Sequence, residues 1–297
     1  MNDITLLGSP TIFDSLDISE STRQEYISRL PKFLGWLRDN GINYDTLLNY
    51  KQYLRNREDL GISSKNKYLA VARISLKELH RRGKLPVDIT YNVKSFQQSH
   101  KHRVEGLNEQ EVTELCNYLR NAPDSFKTVR LKVIVALLLF QGLRQIEICR
   151  LDVSDIDLAS KRIYVLGKGR DDKEPIHLHP ETTNALRRYL KLYRKAQGPL
   201  LTSLTRKSNN TTPRLSTRGL RKIVQQAMHR SGIDKTVHGC RHYFATKLIS
   251  SYKGDLLRVA SYTRHRSVEM LQVYNDSIAD EADLPRYYAV FDTVKLS

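Results

Sequence analysis

The feature that most constrains the fold is a break in periodicity at residues 92–104. This segment, Asn-Val-Lys-Ser-Phe-Gln-Gln-Ser-His-Lys-His-Arg-Val, is polar and basic, and its few apolar residues follow neither helical nor strand spacing. Regular apolar spacing lies on both sides of it, and 297 residues are more than one ordinary core needs. The sequence therefore predicts one domain over residues 1–91, a linker over 92–104 and a second domain over 105–297.

The first domain is expected to be small and helical. Apolar residues recur at helical spacing over 19–40, again over 44–56, and again from about Ser63 to a stop at Gly83. The third helix carries basic side chains, and the linker adds two more. The candidates for contact with a phosphate backbone are Lys65, Lys67, Arg73, Lys77, Lys101 and Arg103.

The second domain changes its period partway along. Asn108 and Glu111 fit a capping box, and 133–140 is a buried helical stretch that ends at Gly142. Short runs with strand character follow, and helical spacing then returns. The predicted strands are 156–158, 162–166 and 175–178, and the clearest later helices are 217–231 and 242–251. The predicted fold class is mainly α with a small antiparallel β-sheet.

The charge of the chain indicates a polyanionic partner. Lys plus Arg number 49 against 32 for Asp plus Glu, a net charge of +17. The basic excess is concentrated in two blocks, residues 61–104 and 205–270, whereas residues 276–297 are acidic. Two separate basic blocks favour a nucleic acid held from two sides, although a generally basic protein without such a partner stays open. In the second block, Arg218, Arg221 and Lys222 are the candidate DNA contacts.

Several other classes of protein are disfavoured. The longest apolar run is far shorter than the roughly 18 residues of a membrane span, and no basic segment followed by an apolar core opens the chain. The three cysteines, Cys116, Cys149 and Cys240, are too widely spaced for a disulfide framework or a zinc motif. We therefore expect a cytoplasmic protein without a metal or another cofactor.

Five short motifs contain the candidate chemistry. Arg144 follows Gly142 at a helix junction, and Glu147 is spaced to orient it, although a purely structural pair is equally compatible. Lys168 lies in a Gly-Lys-Gly turn, where a surface lysine is the commoner interpretation and Lys173 is a rival for the same role. The remaining motifs are His238-Gly-Cys-Arg241-His242 directly before a helix, His265 in a basic turn, and Tyr274 nine residues after His265.

Taken together and in this order, the motifs resemble the active-site signature of the tyrosine recombinase (phage integrase) family. The matching pieces are the Gly-Leu-Arg-x-x-Glu box, the Gly-Lys-Gly hairpin, the His-x-x-Arg-His box and a His followed nine residues later by Tyr. The chain departs from the family pattern at Thr263-Arg264, where Leu-Gly is usual, and at Cys240, where Leu is typical. The resemblance covers nearly the whole chain, because residues 1–91 are similar to the helical, SAM-like core-binding domain that precedes the mixed α/β catalytic domain.

This resemblance implies a site-specific recombinase that cleaves and rejoins DNA through a 3′-phosphotyrosine on Tyr274. It further implies that Arg144 and Arg241 bind the phosphate oxygens, Lys168 protonates the leaving 5′-oxygen and His238 exchanges a proton near Tyr274. The family roles of the other site residues follow in the same way. His265 would hydrogen-bond the phosphate, Glu147 and His242 would support the site, and residues 276–297 would dock on a neighbouring subunit of a homotetramer assembled on a double-stranded recombination site.

The length of the chain favours the simple two-domain type of recombinase, similar to Xer and Cre. Whether it integrates, excises or resolves dimers stays open, as does any need for a second recombinase or a directionality factor. Three other functions remain as alternatives: a type IB topoisomerase, a DNA-binding regulator with an inactive site, and a metal-dependent transposase or nuclease. The last would use aspartates among the strands and turns, Asp152, Asp155, Asp157, Asp171 and Asp172.

Overall fold

The computed structural model describes residues 10–98, 106–167, 169–194, 196–204, 213–265 and 267–290, without the side chains of 10, 11 and 277–282. The chain divides into two compact units, Met1–His100 and Lys101–Ser297. Within the part described, no helix is both long and apolar enough to span a membrane.

The first unit is a helical domain with its own core. Ser19 caps the first helix by accepting a hydrogen bond from the Thr22 backbone, and Gly41 ends it with a φ of 68°. A cluster of aromatic rings, including Phe33, Trp36 and Tyr50, packs between the helices. The helices are α1 (Glu20–Asn40), α2 (Thr46–Arg55) and α3 (Ile62–Arg81), preceded by a 3-10 turn at Pro10–Phe13.

The first half of the predicted linker packs against α3. The side-chain amide of Asn66 donates to the carbonyl of Phe96 at 3.0 Å and its oxygen accepts from the backbone N–H of Phe96 at 2.8 Å. Arg73 donates to the carbonyl of Val93 at 2.6 Å. Residues 92–98 therefore have fixed partners in the first unit, whereas residues 99–104 lie outside the described residues.

The second unit consists mainly of helices around one apolar core. Its first helix begins at the predicted capping box, in which Asn108 accepts from the Glu111 backbone and Glu111 accepts from the Asn108 backbone. The helices before the sheet are α4 (Glu109–Asn121), α5 (Phe126–Leu139) and α6 (Gln145–Arg150). The helices after it are α7 (Pro180–Tyr193), α8 (Thr217–Arg230), α9 (His238–Ser251), α10 (Leu256–Thr263) and α11 (Glu269–Ala289).

The predicted antiparallel sheet is present with strand order β1-β2-β3. The strands are β1 (Ile156–Asp157), β2 (Arg162–Leu166) and β3 (Lys173–His177), and Ile163 pairs with Ile156 on one side and Ile176 on the other. Ile163 and Val165 are buried while Arg162 and Tyr164 are exposed, as expected for a strand with one face against a core. The third strand begins two residues before the predicted start, because its partner β2 extends to Leu166 and continues the ladder.

The helices differ from the sequence prediction in two respects. The helix predicted to begin at His242 begins at His238, so the His-x-x-Arg-His box lies inside its first turn and not before it. Helix α7 had no predicted counterpart, although its buried and exposed positions alternate at helical spacing. The described part of the predicted acidic tail begins within α11, which runs without interruption from Glu269 to Ala289.

Candidate active site

Arg144 is positioned by a sharp turn between α5 and α6. Gly142 has a φ of 56°, a left-handed conformation that glycine adopts without strain, and its Cα faces the ring of Phe244 on α9. Arg144 follows as the N-cap of α6. Its backbone N–H and its Nη1 donate to the two carboxylate oxygens of Glu147 at 2.8 and 3.0 Å. The Arg144 side chain is 27% exposed, so part of its guanidinium remains open to a ligand.

Glu147 is a buried anion in this turn. Its side chain is fully buried, which by itself raises the pKa of the carboxyl group. The charge of Arg264, together with the hydrogen bonds and the charge of Arg144, outweighs that effect, so the pKa lies below its usual value. Glu147 is therefore ionised at neutral pH and fixes both the backbone and the guanidinium of Arg144.

Arg241 links two separate loops to the start of α9. Its Nη1 donates to the carbonyl of Gly142, and its Nη2 donates to the carbonyl of Thr263 at 2.6 Å. Nη2 also lies 3.4 Å from Nε2 of His265. Burial, followed by repulsion from Arg144, lowers the pKa of Arg241 to about 10, which leaves it charged at neutral pH. This one side chain thus holds the Arg144 turn and the His265 turn together.

His265 is held in a neutral form by its surroundings. The hydroxyl of Thr263 donates to the carbonyl of Val259 at 2.9 Å, so its oxygen accepts the proton of His265 Nδ1, 2.7 Å away. Burial and the neighbouring arginines, Arg241 first, lower the pKa of His265 to about 3. Nε2 is left as the nitrogen that faces Arg241.

Tyr274 lies beside the histidines of α9. Its ring centroid is 5.0 Å from that of His242, which in turn is 4.6 Å from that of His238. The Tyr274 ring is half-buried and packs against a small apolar cluster that includes Leu271. Burial raises the pKa of the Tyr274 phenol, while the charges of Arg241 and Arg144 act in the opposite direction. At neutral pH the phenol therefore keeps its proton until another group accepts it.

A pocket of about 270 Å³ opens at this cluster. Arg144, His238 and Arg241 line one part of it, and Arg221 of α8 lies on its wall. The pocket connects the candidate site to the basic face of α8. Arg218, Arg221 and Lys222 are exposed on that face, and they line a second groove of about 550 Å³.

Several of the predicted basic residues either lie outside the described residues or already have a partner. Lys168 lies outside the described residues. Its rival Lys173 begins β3, and its ammonium group donates to Asp155 at 2.5 Å, so it already has an anionic partner. Three of the four basic candidates of the first unit already have partners. Lys65 and Arg73 donate to backbone carbonyls, and Lys67 pairs with Glu25 at 3.0 Å. Lys77 is exposed. Lys101 and Arg103 are outside the described residues.

Three of the five aspartates of the alternative metal site have structural partners. Asp152 pairs with Arg214 at 2.6 Å, Asp155 with Lys173, and Asp157 accepts from Ser160 at 2.6 Å. Over the described ranges, no group of three His, Cys, Asp or Glu side chains has the geometry to hold a metal ion.

Arg264 is the site residue whose partner the sequence did not indicate. It ends α10 in a left-handed conformation, and its Nη2 donates to Glu147 at 2.7 Å. The only sequence signal was its position directly before His265, where the family usually has glycine. The structure thus adds a third arginine to the pair that the motifs predicted.

These contacts define a class of site. Two arginines, three histidines and a tyrosine phenol lie close together, and Arg144, His238 and Arg241 of this group line the pocket. This set of donors suits a phosphate diester. Comparison with known proteins gives the family. The model of the Phage integrase family matches residues 105–281. The chain therefore belongs to the phage integrase family of tyrosine recombinases, enzymes that cleave and rejoin DNA at specific sites.

Individual relatives match at low identity. A tyrosine recombinase of Synechocystis sp. is 29% identical over 159 residues, which are 52% of this chain and 50% of that protein, so the chain matches about half the length of this relative. A tyrosine recombinase of Synechococcus elongatus is 26% identical over 282 residues, 88% of this chain and 86% of the relative.

Solved structures show the same fold. The XerH site-specific recombinase bound to palindromic difH substrate aligns with a TM-score of 0.69 and 18% identity over 92% of this chain and 80% of that one. The lambda integrase tetramer bound to a Holliday junction aligns with a TM-score of 0.63 and 15% identity over 89% and 74%. These two proteins bind a recombination site and a Holliday junction, respectively.

Proposed function

We propose that this protein is a simple two-domain recombinase, similar to Xer and Cre, in which Tyr274 is the nucleophile. The observation that carries the proposal is the position of Tyr274 on α11. Its ring touches His242, which shares the first turns of α9 with His238 and Arg241. The neighbouring groups come from the turn before α6, from the start of α9 and from the turn after α10. Each group has a function in cleaving a phosphodiester.

In the proposed reaction the Tyr274 oxygen attacks the scissile phosphorus in line with the leaving 5′-oxygen. A phosphorus–oxygen bond to tyrosine forms as the bond to the 5′-oxygen breaks, giving a 3′-phosphotyrosine and a free 5′-hydroxyl. A 5′-hydroxyl from a partner strand then reverses the step. The energy of the broken bond is kept in the phosphotyrosine, so the balance requires neither ATP nor a metal ion.

Proton transfer is assigned to the histidines and to the hairpin lysine. The phenol must lose a proton, and the pair His242–His238 begins at its ring and leads to an exposed imidazole. Lys168 would donate a proton to the leaving oxygen. His265 is neutral without DNA, and the negative charge of a phosphate would favour its protonated form, which donates a hydrogen bond from Nε2.

Charge stabilisation is assigned to Arg144 and Arg241. Arg241 is fixed by two carbonyl acceptors, and Arg144 by Glu147, so neither guanidinium has to reorganise when charge builds on the phosphate oxygens. Preorganised donors of this kind typically accelerate a reaction by about 100-fold or more each.

DNA binding and assembly complete the proposal. The basic face of α8 and the basic residues of the first unit and linker would grip the duplex from two sides. The described end of α11 exposes Leu284, Tyr287, Tyr288 and Val290, at 40% to 68%. We assign this apolar group to a contact with a neighbouring subunit of a homotetramer. All three cysteines are free thiols, which suits a reaction in the reducing cytoplasm.

The test is capture of the covalent intermediate. The protein is incubated in EDTA with a nicked half-site of its recombination sequence, and a denaturing gel separates protein–DNA adducts from free DNA. Wild type is expected to form the adduct and Tyr274→Phe to form none. Tyr262→Phe is the matched control, because Tyr262 is a neighbouring tyrosine that is 48% exposed. An adduct from Tyr274→Phe, or one that only Tyr262→Phe abolishes, would refute the assignment.

A further inference from the structure

Arg264 stands where the backbone favours glycine. Its φ of 54° and ψ of 44° are left-handed, and a residue with a Cβ is strained there. Yet the side chain is not a solvated surface group, since only 5% of it is exposed. A buried cation in a strained backbone position persists only where the surrounding structure fixes it.

The group that fixes it is Glu147. Arg264 Nη2 and the Arg144 backbone N–H both donate to Oε2 of Glu147, at 2.7 and 2.8 Å, while Arg144 Nη1 donates to Oε1. One carboxylate therefore holds two arginines. A second anion is near, because Nε of Arg264 lies 3.8 Å from Oε1 of Glu174 on β3. Nε and Nη1 have no hydrogen-bond partner among the described residues.

Without Arg264, the carboxylate of Glu147 would offset part of the positive charge of the site. Glu147 carries one negative charge, and Arg144 and Arg241 carry one positive charge each. If Glu147 were paired with Arg144 alone, the carboxylate would offset half of the positive charge available to a phosphate. Arg264 supplies a separate counter-charge, and it is close enough to lower the pKa of both Arg241 and His265.

We propose that Arg264 is a positioning residue of the cleavage step: it neutralises Glu147 so that the full charge of Arg144 acts on the scissile phosphate. The carboxylate keeps its geometric function of holding the Arg144 turn, and Arg264 removes the electrostatic cost of having an anion there. This inference rests on the proposed function, because it concerns the same phosphate site.

The experiment measures two quantities for each variant, the affinity for an intact recombination site and the rate of Tyr274–DNA adduct formation on a nicked half-site. Arg264→Gln is expected to bind DNA within about twofold of wild type, because the side chain is buried, and to form the adduct roughly tenfold or more slowly. Arg258→Gln is the matched control. It removes the same charge from an exposed position on the same helix, and its adduct rate is expected to match wild type.

A double-mutant cycle tests whether Arg264 acts through Glu147. In the Glu147→Gln background there is no carboxylate to neutralise, so Arg264→Gln should cost much less than it does in wild type. Arg264→Lys keeps the charge and should recover most of the rate lost in Arg264→Gln. Thermal unfolding of each variant identifies any that fail to fold. If Arg264→Gln alone does not fold, the adduct rates of the double variant Glu147→Gln/Arg264→Gln and of Glu147→Gln are compared instead.

The outcomes separate this inference from the proposed function. If wild type forms the adduct and Arg264→Gln forms it equally fast, or if the costs of the two substitutions simply multiply, the role of Arg264 is refuted and the nucleophile assignment stands. A lysine variant as slow as the glutamine variant would also refute it. If wild type forms no adduct through Tyr274, the proposed function itself fails.

Discussion

At the scale of single residues, Gly142 shows how little room the active-site turn leaves. A Cβ added there would lie 2.6 Å from Cε1 and 2.8 Å from Cγ of Phe244, closer than carbon atoms approach, and the φ of 56° adds backbone strain. The turn also presents the carbonyl that accepts a hydrogen bond from Arg241. Any displacement of Gly142 therefore moves a partner of Arg241, which is proposed to bind the scissile phosphate.

We expect Gly142→Ala to lower the free energy of unfolding by roughly 2–4 kcal/mol and to slow adduct formation. Gly41→Ala is the control, because Gly41 has a φ of 68° but open space around it, and should cost only about 1 kcal/mol. Urea unfolding of both variants measures the difference. Equal losses of stability would show that Phe244 yields to the added methyl group.

His265 gives a prediction for the pH dependence of stability. Its pKa in the folded protein is about 3, against an ordinary value of 6.5, so between these pH values the unfolded chain binds a proton that the folded chain does not. Stability from this residue is fully present above about pH 6.5 and is lost as pH falls. Wild type should lose about 1 kcal/mol more than His265→Asn between pH 6.5 and 5, measured by urea unfolding. Parallel pH profiles would contradict the assignment.

At the scale of elements, α11 carries both Tyr274 and an exposed apolar group in one helix. Its first turns carry Leu271, which is fully buried, and Tyr274, which packs beside it. Its last turns carry exposed apolar side chains and end at Ala289. Because the helix is continuous, a partner that binds its end would be mechanically connected to Tyr274, the proposed nucleophile.

We expect removal of residues 283–297 to abolish recombination between two sites while leaving the melting temperature and the affinity for a single site nearly unchanged. The physical reason is that the described residues of this segment are exposed in the single chain, so its fold does not depend on them. Full recombination by the truncated protein would refute the subunit contact. A control with Tyr287→Ser and Tyr288→Ser tests whether the two exposed rings account for the loss.

At the scale of the whole molecule, the charge of +17 makes DNA affinity depend on salt. Each phosphate contact that a basic side chain makes contributes about 0.9 to the slope of log affinity against log salt concentration. Arg218→Ala/Lys222→Ala should therefore reduce that slope by about 1–2. Arg187→Ala/Lys191→Ala removes the same charge from exposed positions on α7 and should leave the slope unchanged. Equal slopes for the two double variants would show that α8 does not face the duplex.

Much of the fold could be predicted because it depends on near neighbours. The Asn108–Glu111 capping box and the helix stops at Gly83 and Gly142 depend on residues a few positions apart, so the sequence contains both partners side by side. The start of α9 at His238 was missed for the opposite reason. No side chain caps this helix, and its first turn is fixed by the contacts of Arg241 with distant carbonyls.

By itself, the sequence determined the fold class, most of the elements and that the family is that of the tyrosine recombinases. Only the tertiary structure decided how those residues share partners. Arg264 reaches Glu147 across 117 positions of the chain, and Arg241 reaches Gly142 across 99. Such pairings form only when the folded domain brings the start of α6, the first turn of α9 and the end of α10 together. A motif names the residues of a site, but it contains no information on which buried charge neutralises which.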